Sequence, residues 1–346
     1  MGLLKNLTNR IFFSAQAHEQ PQDASIPEFQ RDYLDNLSNL DTNNQAMASS
    51  IYQTLLEQRE SKIKRGFYWE NQIAFAYNSE KMEGNPLTKD QTRTIFETKT
   101  ITGKNIPFDY VAETRNHFRL FDYMLDTIKE PLTPQMLLNY NHVLKTGDTK
   151  RLSSPEFHEG KWKTTPNGVG GIETTAPSDV PVAINRLFSA YLSKKEKTYK
   201  DIAGLHVFFE RIHPFQDGNG RIGRILMFRE CLVNNLVPFI VLDETKDTYY
   251  KGLQCFDKEP NLLVDYFMEM RELYLREYSS LVPENLLLPS FETFLNTELD
   301  HAGDAENFFA SNNIPQTITE QGVSAKAAEN NFAKKLRMET TNQPAR

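Results

Sequence analysis

The chain has 346 residues, 39% of them hydrophobic and 11% aromatic, which allows one large domain with appendages or two domains with ordinary cores. Its formal net charge of −7 argues against a nucleic-acid partner, and no apolar run approaches the ~20 residues of a membrane span. Cys231 and Cys255 are the only cysteines; with neither metal-ligand spacing nor a disulfide framework, they fit a reducing cytoplasm.

The first residues, Met1-Gly2-Leu3-Leu4-Lys5, lack the apolar centre of a signal peptide. Gly2 invites acylation, but Asn6 stands where Ser or Thr is wanted. Residues 1–46 are polar and read as a loosely held arm. Residues 47–83 read as helical, with Trp69, Ile73, Ala76 and Tyr77 recurring on one face. Gly84 suits a left-handed cap and Pro86 blocks continuation. Ser79 and Glu83 share a face just before that cap. A glutamate at a helix C-terminus is electrostatically unfavourable, so a partner is expected to compensate it; the plain reading is a surface acid. Thr88 and Gln91 form a capping box for the next helix. A long helix is predicted over 109–129, where Asn116 faces the apolar side as a structural hydrogen-bonding residue. Thr133 caps another over 134–145, and His142 there reads as packing or capping.

Residues 150–180 break the helical pattern. Trp162-Lys163-Thr164-Thr165 and Gly171-Ile172-Glu173-Thr174 flank Pro166-Asn167-Gly168-Val169-Gly170, and Asn-Gly between β-favouring runs predicts a hairpin. Alone in a helical protein it is marginal unless it packs on something. Helix resumes over 181–192, again over 201–234 around a central loop, and over 260–279. Residues 286–346 form a polar tail with scattered aromatics, read as short helices or a segment ordered on binding.

The loop inside 201–234 is His213-Pro214-Phe215-Gln216-Asp217-Gly218-Asn219-Gly220-Arg221-Ile222-Gly223-Arg224. Pro214 ends the helix that carries His206, Phe209 and Ile212, so His213 is its last residue or the first turned away. Phe215 offers an apolar anchor. Gly218, Asn219 and Gly220 can turn backbone N–H groups toward one centre, and a helix starting near Arg221 adds its orphan donors and positive dipole end. Arg221 and Arg224 share a face; two guanidiniums above a ring of N–H groups suit a polyphosphate. Asp217 is a hard oxygen ligand for the Mg2+ that accompanies nucleotide phosphates. His213 has an ordinary pKa matched to accepting a hydroxyl proton at neutral pH. Taken singly, each is more often a helix-end histidine, a solvated arginine face or a plain turn; their convergence in one short segment is what points to a site.

The segment resembles the signature of the Fic (filamentation induced by cAMP) family, His-Pro-Phe-x-(Asp/Glu)-Gly-Asn-Gly-Arg-x-x-Arg, at every fixed position. The resemblance implies an all-α fold, a helical bundle with a small β-hairpin flap beside the active site, over residues 47–285. It implies transfer of AMP from ATP, as cosubstrate with Mg2+, to a Ser, Thr or Tyr hydroxyl of a target protein or of the chain itself. Related Doc kinases carry Lys at the position of Gly218. Ser79-Glu80-Lys81-Met82-Glu83-Gly84 resembles the family's inhibitory motif, (Ser/Thr)-x-x-x-Glu-(Gly/Asn), which implies an inhibitory helix over about 65–84 whose Glu83 pairs with Arg224. The flap, over about 160–175, is implied to hold the target segment, and Tyr249 or Tyr250 to border the adenine; Tyr250 is the nucleotide-binding candidate. A homodimer is common among such relatives. Two alternatives stand beside this reading: removal of AMP, with Glu83 orienting a water, and a non-enzymatic nucleotide-sensing interaction module.

Overall fold

The computed structural model describes residues 48–278 apart from 102, 104, 105, 148, 150–155, 170 and 171, together with Leu281. The expected arm (1–46) and tail (286–346) lie outside the described residues. The stretch expected to be helical over 47–83 is interrupted. Helix α1 (48–60) ends in a turn where Lys62 and Arg65 take left-handed φ angles of 52° and 55°, and α2 (Phe67–Met82) starts after Gly66. Gln58 explains the break: its main-chain carbonyl accepts from Ile63 N–H at 3.0 Å and closes the turn, while its side-chain oxygen accepts from Tyr68 N–H at 3.2 Å and satisfies a donor at the next helix start.

The following helices sit close to their predicted positions. Helix α3 (Lys89–Thr98) carries the Thr88/Gln91 capping box, α4 spans Phe108–Asp126, and α5 (Pro134–Lys145) is capped by Thr133. Beyond the hairpin come α6 (Val180–Ser193), α7 (Tyr199–Ile212), α8 (Asn219–Val233), α9 (Lys246–Cys255) and α10 (Pro260–Tyr278). A second capping box, Thr198 with Asp201, starts α7. Helix α8 is the centre of the bundle: Ile222, Ile225, Leu226, Met227, Phe228, Cys231 and Leu232 are all buried. Phe228 gathers Phe75 of α2, Phe121 of α4 and Tyr274 of α10 at centroid distances of 5.3, 5.4 and 6.2 Å. A helix surrounded on all sides must start where its neighbours allow, and that fixes the loop preceding α8.

The hairpin is a two-stranded antiparallel ribbon, β1 (Gly168–Val169) and β2 (Ile172–Glu173), paired Gly168 to Glu173 and Val169 to Ile172. The predicted flap is therefore in place, but Asn167-Gly168 is not its turn. The strands close between Val169 and Ile172, because the Asn167 side chain is occupied elsewhere, donating to the Phe215 carbonyl at 2.9 Å.

Asn116 has the structural role expected of it. Its amide donates to the carbonyls of Leu144 (3.0 Å) and Thr146 (2.7 Å), which have no intrahelical partner at the end of α5. His142, on the same helix, is exposed. Replacing Asn116 with Ala strands both carbonyls beneath α4. Unfolding in urea is expected to show a loss of about 1–3 kcal/mol, with an unchanged denaturant slope.

Candidate active site

The loop between α7 and α8 is held from within. His213 takes φ 50° and ψ 61°, a left-handed conformation that costs a non-glycine residue roughly 1–2 kcal/mol, while its N–H still bonds the Phe209 carbonyl at 2.9 Å. Thus His213 is the first residue turned away from α7. Phe215 is buried and stacks on Trp162 with centroids 5.3 Å apart. The Asn219 side chain accepts from Phe215 N–H (2.9 Å) and donates to Phe215 carbonyl (2.8 Å), so it acts as a clasp across the loop. What Asn219 offers a bound anion is its main-chain N–H, at the start of α8. Gly218 has φ 87° and caps α8, while its N–H is taken by the Asp217 carboxylate at 2.6 Å. Helix α8 starts at Asn219, two residues before the predicted Arg221.

The two motif arginines have different surroundings. Arg221 is fully buried among three carboxylates: Glu80 of α2 and Glu113 of α4, each at 3.2 Å, and Asp217 at 3.0 Å. Lys145 of α5 lies in the same cluster, 2.8 Å from Glu113 and 2.9 Å from the second Asp217 oxygen. Burial raises the Glu80 carboxyl to about 7 against the pull of Arg221. Arg224 instead meets the end of α2. Its Nε donates to Ser79 Oγ at 3.0 Å, and its Nη2 to the Ser79 carbonyl at 2.9 Å and to Glu83 Oε1 at 2.7 Å. The Glu83 side chain remains 30% exposed, so this pair borders solvent. Burial favours the neutral acid at Glu83, but Arg224 and Arg221 outweigh it and hold the carboxyl below its ordinary range. Gly220 makes this approach feasible: a Cβ there would lie 2.4 Å from Glu83 Oε1.

His213 places Nδ1 3.2 Å from the Glu210 carbonyl. A carbonyl only accepts, so Nδ1 carries the proton and Nε2 keeps its lone pair. Burial lowers the His213 pKa, Lys163 of the flap adds to that, and the Glu210 carbonyl, Glu83 and Asp217 oppose it. The Glu210 carboxyl is pushed up to about 8 by burial and stands neutral at pH 7. Of the two tyrosines, Tyr249 is buried with its hydroxyl on His206, whereas Tyr250 is part exposed and next to it, with ring centroids 5.3 Å apart. Tyr250 is thus the one with a face to offer a base.

The fold brings together His213, Asp217, Gly218, Asn219, Gly220, Arg221 and Arg224, and packs Ser79 and Glu83 against them. Asp217 is one carboxylate, 26% exposed, already bonded to Arg221 and Lys145. It fits a Mg2+ whose other ligands are phosphate oxygens and water, and it does not fit an all-protein metal cage. Four participants were not named as site residues on sequence grounds: Glu80, Glu113, Lys145 and Lys163. Glu80 stands three residues before Glu83 and Lys163 inside the predicted hairpin, but no local spacing links any of the four to the loop.

The sequence model of the Fic/DOC family matches residues 131–231. The protein adenylyltransferase Fic of Drosophila willistoni is 27% identical over 260 residues, covering 72% of this chain and 50% of that protein. That of Aedes aegypti is also 27% identical, over 261 residues, covering 67% and 50%. The chain spans about half the length of the curated relatives it matches. Among solved structures, a Fic-domain-containing signalling protein from Bacteroides thetaiotaomicron aligns with a TM-score of 0.52 at 24% identity, covering 70% of this chain and 95% of that one. A Fic family protein from Desulfovibrio desulfuricans aligns with a TM-score of 0.53 at 22% identity, covering 76% and 77%. The helical bundle thus has the fold of Fic-domain proteins, and the stretch that contains the complete signature loop, residues 131–231, is what matches the Fic/DOC family model.

Proposed function

We propose that the chain is a protein adenylyltransferase, transferring AMP from ATP to a protein hydroxyl, and that Glu83 restrains it. The observation that carries this reading is the Glu83–Arg224 bond of 2.7 Å beside a histidine whose Nε2 is left to accept a proton. The triphosphate lies over the first-turn N–H groups of α8, with Arg224 on its terminal phosphate. Asp217 would hold Mg2+, which neutralises phosphate charge when bound. The target hydroxyl oxygen bonds the α-phosphorus as the bond from that phosphorus to the bridging oxygen breaks. The hydroxyl proton passes to His213 Nε2, and pyrophosphate leaves. Catalysis here is positioning and charge stabilisation. Glu83 opposes it in two ways: it occupies the Arg224 fork, and its own charge repels the phosphate. The relatives named as protein adenylyltransferases support the reaction class.

Glu83→Gly is expected to raise incorporation of α-phosphate-labelled ATP at least tenfold, with an AMP added to the chain or a co-incubated protein by mass spectrometry. Glu83→Gly combined with His213→Ala is expected to abolish it. Flat labelling in Glu83→Gly, at undiminished stability, removes Glu83 as the restraint. Release of AMP from a modified protein by wild type but not Glu83→Gly replaces restraint with hydrolysis.

The pH dependence follows from the direction of the His213 shift. A base must be unprotonated to act, and a pKa held below 6.5 keeps it so through neutrality. The acid limb of kcat/KM for Glu83→Gly should therefore have its midpoint below pH 6.5. A midpoint above that value assigns the limb to another group.

A further inference from the structure

Lys163 is buried at 3% exposure, and among the described residues its hydrogen-bond acceptors are all uncharged. Its ammonium donates to Asn167 Oδ1 at 2.7 Å, Thr174 Oγ1 at 2.6 Å and the Ile212 carbonyl at 3.3 Å. Its own N–H donates to the Pro214 carbonyl at 2.8 Å. Asn167 and Thr174 flank the two strands of the flap, and the Asn167 amide continues to the Phe215 carbonyl at 2.9 Å. The main-chain carbonyls of Ile212, Pro214 and Phe215, which bracket His213 on both sides, are thus each held from the flap. A two-stranded ribbon of four paired residues has no stability of its own, so this clasp sets where it sits.

We propose that Lys163 is the positioning residue that fixes the flap's register against His213, so that a target strand laid along the flap presents one residue to the imidazole. The role in target placement rests on the adenylyl-transfer reading; the clasp does not. An isolated strand pair reads an added peptide through main-chain bonds, with little side-chain selectivity. Which target residue meets His213 then depends on flap register alone. Buried lysine charge is costly where no carboxylate answers it, and burial brings this ammonium to about 8. The titratable groups facing His213 are Glu210 from α7, Glu83 from α2, Asp217 from the loop and Lys163 from the flap. Three are acids and Lys163 is the cation, so the same residue that sets the flap also favours the neutral imidazole.

The test is Lys163→Met, which keeps the length and apolar stem and removes the three donors and the charge, made in the full chain carrying Glu83→Gly. Amide hydrogen exchange of residues 163–174 should accelerate at least tenfold. The His213 titration midpoint, read by NMR of 13C-labelled imidazole, should move upward, while ATP affinity by calorimetry stays within twofold and self-labelling by ATP falls. Asn167→Ala and Thr174→Val keep the lysine and remove its acceptors. Each should loosen the flap with a smaller movement of the His213 midpoint, and they carry the test if Lys163→Met does not fold. Unchanged flap exchange in the folded variants overturns the proposal. If Glu83→Gly labels nothing, the adenylyl-transfer reading fails separately, while exchange and titration still decide the clasp.

Discussion

Two guanidiniums, three residues apart at the start of a buried helix, place positive charge where water cannot reach it, and the surrounding helices are arranged to answer that charge. Arg221 draws Glu80 from α2, Glu113 from α4 and Asp217 from its own loop, with Lys145 of α5 between the last two. Arg224 draws Ser79 and Glu83 from the end of α2. Removing one partner from such a buried pair costs about 3–5 kcal/mol, because the other is left as an uncompensated charge. The pairing of buried charges in this space therefore constrains where four helices can sit, and on the proposed reading an arriving polyanion would exchange with a carboxylate already present.

The two arginines differ in how easily that exchange occurs. Among the described residues Arg221 has three carboxylate partners, and it is almost wholly buried. Arg224 has one, on a side chain 30% exposed, and its other two bonds go to neutral Ser79 oxygens that stay when the carboxylate leaves. On the proposed reading, a phosphate at Arg224 would exchange one like-charged group for another. Displacing Glu80, Glu113 and Asp217 from Arg221 would unmake the loop. The buried acids nearby reinforce this asymmetry. Glu210, raised to about 8, is neutral at pH 7 and so does not rival Glu83 for Arg224. Glu80, its carboxyl raised by burial against the pull of Arg221, holds that guanidinium from α2.

Much of this was legible in the sequence, for a specific reason. The loop from His213 to Arg224 keeps its chemistry within twelve residues, and capping residues such as Thr88 and Thr133 act over three, so local spacing reports them. The Glu83–Arg224 contact spans 141 residues and was reached only through resemblance to a known motif pair. Glu80, Glu113, Lys145 and Lys163 carried no such marker: each looks like an ordinary surface charge until the fold buries it. The same limit misplaced the hairpin turn. Asn167-Gly168 has the composition of a turn, but the Asn167 side chain is captured by Lys163 and Phe215, and tertiary bonding overrode local preference. The break between α1 and α2 was hidden for a similar reason, since Gln58 closes it from within the preceding helix.

On the reading of Glu83 as the restraint, the structure also constrains how relief occurs. Helix α2 buries Phe67, Ile73, Phe75 and Ala76, and is bonded to α10 through Asn71 and Tyr274 at 2.6 Å. It is held to α8 twice more, through Ser79 on Arg224 and Glu80 on Arg221. Undocking it would expose several large apolar side chains, each worth about 1.5–3 kcal/mol when buried, besides breaking those bonds. Glu83 lies beyond all of these contacts, at the C-cap position, followed by Gly84 with φ 85°. Rotating one partly exposed carboxylate away from Arg224 breaks a single hydrogen bond and leaves the helix seated. The smaller motion suffices to open the guanidinium, so the restraint is a side-chain latch on a helix that belongs to the core.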